Sequence, residues 1–229
     1  MFDAWAYTET VAAGAATSPV SGKPSARELV SRALDVVIAS LALVFLAPLM
    51  LGVAFAVWMQ DGASPVFAHR RIGRDGRRFH CFKFRSMVVD AEARLLQVLT
   101  TDPDARAEWE RDHKLRNDPR VTKLGLFLRK SSLDELPQLF NVLRGDMSIV
   151  GPRPIVDAEI PKYGRRGFRA YCQVRPGITG LWQVSGRNDC EYRRRVALDV
   201  VYARAKNPML DLRIMVATVP AVLLRKGCY

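Results

Sequence analysis

Between Val36 and Met59 the chain carries no charged residue. At about 1.5 Å of helical rise per residue, such a run reaches across the roughly 30 Å hydrocarbon core of a bilayer. A buried helix of a soluble protein is the plain alternative, and the length argues against it. The flanks say more. Lys23, Arg27 and Arg32 precede the run, and Arg70, Arg71, Arg74, Arg77 and Arg78 follow it, so the positive-inside rule draws both ends to the cytoplasm. A single crossing breaks that rule. A helix that enters one leaflet, bends at Pro48, where a backbone hydrogen bond is lost, and returns obeys it. The sequence therefore predicts a proline-bent re-entrant membrane helix over residues 25–60. Residues 1–24, rich in Ala, Thr, Ser and Gly and without the basic start of a signal peptide, read as a disordered leader. Residues 61–229 read as a cytoplasmic, membrane-associated domain.

A net charge of +12 beside an apolar fraction of 49% points to polyanions: nucleic acid, anionic headgroups or phosphorylated substrates. Composition does not choose among them. Cys81, Cys172, Cys190 and Cys228 form no C-x-x-C pair, and His69, His80 and His113 have no metal-ligand spacing, so neither zinc nor a disulfide framework is indicated. No Walker loop and no G-x-G-x-x-G occurs.

Arg70 to Arg78 predicts a hairpin turning on Asp75-Gly76. In the strand after it Phe82 and Phe84 face one side, and Lys83 and Arg85 lie side by side on the other. Helices are expected over 89–99 and 103–115, with a turn at Asn117-Asp118-Pro119. Asp90 and Glu92, two apart, do not share a helix face.

Asp134 and Glu135 follow the cations Arg129 and Lys130. Ser132-Leu133-Asp134-Glu135 matches a capping box, so the acids could simply begin a helix. Pro137 cannot donate the bond that a cap at Ser132 requires, which moves the expected cap to Asp134. Leu136, Leu139, Phe140 and Leu143 then form the expected buried stripe, Gly145 ends the helix, and 147–150 reads as a short strand. Gly151-Pro152-Arg153-Pro154 is a stiff turn presenting one guanidinium. Farther on, Arg175-Pro176-Gly177-Ile178-Thr179-Gly180-Leu181-Trp182-Gln183-Val184 allows close backbone approach to a ligand, with Arg175 and Arg187 supplying charge. A helix is expected over 191–205, where Asp199 can pair with Arg195 at i,i+4. Residues 208–224 read as an interfacial helix carrying Asp211 and Arg213. The fold class is thus α+β: a helix-rich domain with a short β-hairpin and interfacial amphipathic helices, preceded by the re-entrant helix.

Lys83-Phe84-Arg85-Ser86-Met87, Ser132-Leu133-Asp134-Glu135-Leu136-Pro137-Gln138-Leu139, Gly151-Pro152-Arg153-Pro154 and the stretch from Arg175 to Val184 together resemble the bacterial sugar transferase family of monotopic polyprenyl-phosphate phosphoglycosyl transferases. Within it the chain looks most like the short exopolysaccharide-initiating enzymes. The resemblance covers about residues 30–229. It implies transfer of a sugar 1-phosphate, galactose 1-phosphate by overall similarity, from a UDP-sugar to undecaprenyl phosphate with release of UMP. Glucose and N-acetylated sugars stay open, as does a possible homo-oligomer. It also implies Mg2+ and a catalytic domain on the cytoplasmic face of the bacterial inner membrane. Many family members have Ser where Ala47 precedes Pro48 here. The resemblance assigns the nucleophile to Asp134, forming an aspartyl-phosphosugar, and metal contact to Glu135, and it puts Lys83, Arg129, Arg153 and Asp199 in the active site. Arg175 is assigned to phosphate binding from its charge and position. The competing classes are a nucleic-acid-binding protein, which leaves the apolar run unexplained, and a non-catalytic membrane-anchored scaffold.

Overall fold

A computed structural model describes residues 25–112, 115–185 and 192–223 of the chain. The expected leader, His113, Arg187, Cys190 and Cys228 lie outside these residues.

Helix α1 (Ala26–Trp58) starts at a capping box, in which the Ser25 hydroxyl accepts from the Glu28 N–H at 3.2 Å and the Glu28 carboxylate accepts from the Ser25 N–H at 3.1 Å. It continues unbroken through Pro48. Ser31, Asp35, Ala39, Val53 and Val57 are buried, at spacings that keep them on one face. The opposite face is apolar and bare, with Val44, Phe45 and Leu51 each more than two-thirds exposed. Only 11% of its most apolar window is buried, which sets it apart from the interior helix of a soluble domain.

Strands β1 (Val66–Ile72) and β2 (Arg78–Phe84) pair antiparallel from Val66↔Phe84 to Ile72↔Arg78. The turn between them places Asp75 and Gly76 at positive φ, the backbone expected of an Asp-Gly turn. Helices α2 (Ala91–Thr101) and α3 (Pro103–Asp112) follow. Then comes α4 (Lys123–Ser131), capped by the Thr122 hydroxyl on the Gly125 N–H at 2.9 Å.

The chain leaves α4 through Ser132 at φ 58° and makes a single 3-10 turn, Leu133–Glu135, before α5 (Gln138–Arg144). The acid pair therefore does not begin an α-helix as the sequence predicted. Helix α4 uses residues 129–131 as its own last turn, and Pro137, lacking an N–H, precedes the first residue of α5. Because α5 begins later than expected, its buried face also differs. Gln138, Leu139, Asn141 and Val142 are buried, whereas Phe140 is 48% exposed and Leu143 is exposed too. Asn141 is drawn inward because it completes the edge of β2, accepting from the Phe82 N–H at 2.9 Å and donating to the His80 carbonyl at 2.7 Å.

Gly145 ends α5 at φ 89°. Strand β3 (Ser148–Val150) pairs parallel with β4 (Gly177–Thr179), and between them lie the 3-10 turn Asp157–Glu159 and α6 (Ile160–Cys172). An alanine Cβ at Gly177 would overlap the Gly151 nitrogen, so this β pair closes only because both residues lack a side chain. The short α7 (Leu181–Val184), α8 (Tyr192–Ala205) and α9 (Pro208–Leu223) complete the described chain. Helix α9 buries Asp211 and Ile214 and exposes Met209, Leu212, Val216 and Val219.

Helix α1 is built into the body along its length. Near its start, Ser31 donates to buried Asp211, Arg32 donates to the Val142 and Leu143 carbonyls, and Asp35 accepts from the Ser148 hydroxyl and the Ile149 N–H. In the middle Ala39 joins Cys81, Leu139, Val142 and Met147. Near its end Val53 and Val57 pack on Phe84 and Leu128.

Candidate active site

Directly opposed residues in a hairpin share a face, so the register puts Phe67, His69 and Arg71 of β1 beside Lys83, Cys81 and Phe79 of β2. The 3-10 turn bearing the acids sits against this face. The Lys83 ammonium lies 2.6 Å from a Glu135 oxygen and 3.7 Å from an Asp134 oxygen, so one cation bridges both carboxylates. Arg85, expected beside Lys83, is instead tied to Asp61 and the Ser64 carbonyl. Arg129, on the last turn of α4, donates to the Ser86 hydroxyl at 2.9 Å and is electrostatically coupled to Asp134.

Arg153 reaches the group from the turn after β3, and its field acts on both Glu135 and Arg71. That turn is clamped to the hairpin. Arg71 donates to the Pro154 carbonyl at 3.2 Å, Ile72 bridges Ile155, and the Tyr171 hydroxyl donates to the Ile72 carbonyl at 2.6 Å while accepting from the Ile155 N–H.

The two acids sit in different fields. Burial pushes the Asp134 carboxyl up, with the Glu135 charge adding to it and Lys83 and Arg129 opposing; the residue is 8% exposed. Burial also acts upward on Glu135, yet Lys83, Arg153 and Arg71 together outweigh it and hold this carboxyl below the usual glutamate range. Its side chain remains 32% exposed. An ionised, reachable carboxylate thus stands next to a shielded one, ringed by cations.

The remaining predicted residues are placed differently. Asp199 is 1% exposed and accepts from the Tyr163 hydroxyl at 2.6 Å. The expected ion pair with Arg195 is replaced, because Arg195 lies 3.5 Å from Glu159 instead. Burial pushes the Asp199 carboxyl up to about 6, despite the Tyr163 hydrogen bond and Arg195. Arg175 is not brought to the acid pair. Its guanidinium donates to the Gly145 carbonyl at 2.9 Å, and its charged neighbours are Arg32, Arg74, Asp35 and Glu28; with Arg32 it satisfies carbonyls at the end of α5.

Sequence reasoning missed Arg71 and Glu159. Glu159 links Arg71, at 3.9 Å, to Arg195 and also accepts from the Val156 N–H and the Tyr192 hydroxyl. Arg71 was within reach of the sequence once the hairpin register about Asp75-Gly76 is written out. Glu159 carried no signal.

Among the described residues no group of three or more His, Cys, Asp or Glu side chains is arranged to hold a metal ion. Two neighbouring carboxylates, one of them partly exposed, fit the way Mg2+ is usually shared between one or two carboxylates, waters and substrate phosphates.

The family model for bacterial sugar transferases matches residues 26–225. The chain is 50% identical over 207 residues to the UDP-galactose-lipid carrier transferase of Erwinia amylovora, covering 90% of this chain and 43% of the relative. It is 49% identical to the undecaprenyl-phosphate galactose phosphotransferase of Salmonella typhimurium, with the same coverage. To the exopolysaccharide production protein ExoY of Rhizobium meliloti it is 46% identical over 214 residues, 93% of this chain and 92% of that one. The chain thus spans less than half the length of the first two relatives and nearly all of the third.

Proposed function

The chain belongs to the bacterial sugar transferase family, and from that premise we propose that it moves a sugar 1-phosphate from a UDP-sugar to undecaprenyl phosphate, releasing UMP. The observation that carries this reading is the pair Asp134 and Glu135 bridged by Lys83, with arginines on either side. Phosphoryl transfer demands positioning and neutralisation of phosphate charge more than covalent machinery.

In the first step an Asp134 oxygen attacks the sugar-bearing phosphorus, the bond from that phosphorus to the bridging oxygen breaks, and UMP departs with the electron pair. An oxygen of undecaprenyl phosphate then attacks the same phosphorus, the acyl–phosphate bond breaks, and Asp134 returns as a carboxylate. Lys83 and Arg129 favour the ionised form of Asp134 against burial. Lys83, Arg129, Arg153 and Arg71 offset phosphate charge, and buried Asp199 acts through the Arg195–Glu159–Arg71 series. Bound Mg2+ would be held through Glu135 and would neutralise diphosphate charge.

Membrane attachment follows from α1. Contacts near its start and near its end are made to the same body, which supports a helix whose two ends lie on one side of the membrane; the bend at Pro48 and the cytoplasmic face of the inner membrane rest on the proline and the flanking arginines of the sequence. The exposed apolar residues of α9 suit an interfacial position.

Galactose is the sugar favoured by the names of the relatives. A UMP-release assay across UDP-galactose, UDP-glucose and their N-acetylated counterparts, with undecaprenyl phosphate in nanodiscs, tests the whole reading. Release is expected with at least one donor. None with any donor would leave a basic, membrane-anchored binding protein.

A further inference from the structure

Among the described residues, the buried side-chain polar atoms without a hydrogen-bond partner are Nε and Nη2 of Arg195, Nε1 of Trp182 and Oε1 of Gln183. Arg195 is 9% exposed. Its Nη1 faces Glu159 at 3.5 Å, and its guanidinium lies over the rings of Trp182 and Tyr192 at 5.0 and 5.1 Å. Leaving a buried charged donor unpaired is costly, and such an atom calls for a ligand, a water or a functional reason.

The nearby carboxylates do not fill the need. Glu159 is engaged with Arg71, the Val156 N–H and the Tyr192 hydroxyl, and Asp199 holds the Tyr163 hydroxyl. The unused atoms of Arg195 are also of a particular kind. Nε–H and Nη2–H project from one edge of the guanidinium as a parallel fork, the edge that grips two oxygens of a phosphate or carboxylate. The Trp182 indole adds a further donor beside it. A single water accepts only two hydrogen bonds, whereas a phosphate group offers several acceptor oxygens. The location suits the reaction, since only Glu159 separates Arg195 from Arg71, and Arg71 acts on Glu135.

We propose that the Nε–Nη2 edge of Arg195, with the indole N–H of Trp182, is a second oxyanion grip, taking a phosphate group of one of the two phosphate-bearing substrates. This rests on the transferase reading above. These donors are shut off from solvent in the structure, so a phosphate reaches them only as the residues around Arg195 open locally.

The test uses the full chain in nanodiscs and compares wild type with Arg195→Lys, which keeps the charge and loses the fork. UMP affinity is measured by calorimetry, and KM is measured separately for UDP-sugar and for undecaprenyl phosphate. A charge-assisted bidentate contact predicts a loss of roughly ten- to a hundredfold. If UMP affinity and the UDP-sugar KM move together, the nucleotide is the source; if only the KM for undecaprenyl phosphate moves, the lipid is. All of these constants staying within about twofold, or a fall in kcat alone, would overturn the grip and leave a water-filled or purely structural arginine. Should Arg195→Lys fail to fold, Trp182→Phe keeps the ring and deletes the donor. It is expected to weaken the same ligand several-fold, and unchanged binding would count against the proposal. UMP and inorganic phosphate binding require no turnover. A wild-type chain that binds them through Arg195 yet releases no UMP would sink the transferase reading and spare the grip; UMP and inorganic phosphate binding indifferent to Arg195→Lys, with the KM for undecaprenyl phosphate also unmoved, would sink the grip.

Discussion

Lys83 serves two carboxylates at once, and removing its charge moves both upward in pKa. The proposed mechanism requires Asp134 ionised to attack phosphorus, so on it Lys83→Met should shift the acid limb of the pH–rate profile of the residual activity to higher pH. Its kcat/KM should fall by about 10²-fold or more, as expected for loss of a charge-stabilising group. Asp134→Asn should abolish UMP release and the protein label left by brief incubation with radiolabelled UDP-sugar without lipid; a labelled Asn variant would remove the covalent step. Asp199 makes a different kind of prediction. Its carboxyl stands at about 6, above the ordinary 3.8, so its protonation favours the folded state at low pH, and that contribution disappears as pH rises through 6. Asp199→Asn should therefore flatten the change of Tm with pH between about 4 and 6, which thermal melts across that window would show. The acid pair stood out in the sequence by its charge and position, whereas the place of Lys83 beside it came from the family resemblance and not from spacing. The surroundings of Asp199 were not legible, because its partner Tyr163 and the carboxylate Glu159 that takes Arg195 instead come from α6 and the turn before it, and no local pattern in α8 announces them.

At the scale of elements, the hairpin and its turn could be read directly, since Asp75-Gly76 and the alternation in β2 are local signals. The junction between α4 and α5 was misread for an instructive reason. Capping logic correctly rejected Ser132 as a helix start but did not foresee that α4 would extend to Ser131 and leave through a left-handed Ser132. The buried face of α5 was misassigned because hydrophobicity was taken as the guide where hydrogen bonding decided: Asn141 is fully buried to complete β2, and Phe140 is turned outward. Gly125 shows how closely α4 sits on the segment after β2, as an added Cβ would overlap the Ser86 carbonyl. Gly125→Ala should cost about 1–3 kcal/mol, seen as a lowered Tm. Activity should fall as well, because Ser86 also holds Arg129.

For the molecule as a whole, charge on both flanks of the apolar run and contacts along α1 lead to the same expectation. Single cysteines introduced at Ser25 and Asp75 should both resist a membrane-impermeant thiol reagent applied outside cells and react after permeabilisation. Labelling of Ser25→Cys alone from outside would mean a spanning helix. The sequence announced α1 as a membrane element but gave no hint of how thoroughly the body depends on it. Ser31 and Asp35 meet Asp211 and Ser148, distant in the chain, and Ala39, Val53 and Val57 complete two of the apolar clusters. That dependence bears on how the protein is made. The helix leaves the ribosome before the body, and the surfaces around Leu139, Phe84 and Leu128 stay open until it is in place, so on the proposed membrane attachment of α1 lipid insertion becomes a step of folding. Expression of residues 61–229 alone should then give an aggregating, protease-sensitive product, to be rescued by supplying the helix on a separate chain in the same membrane.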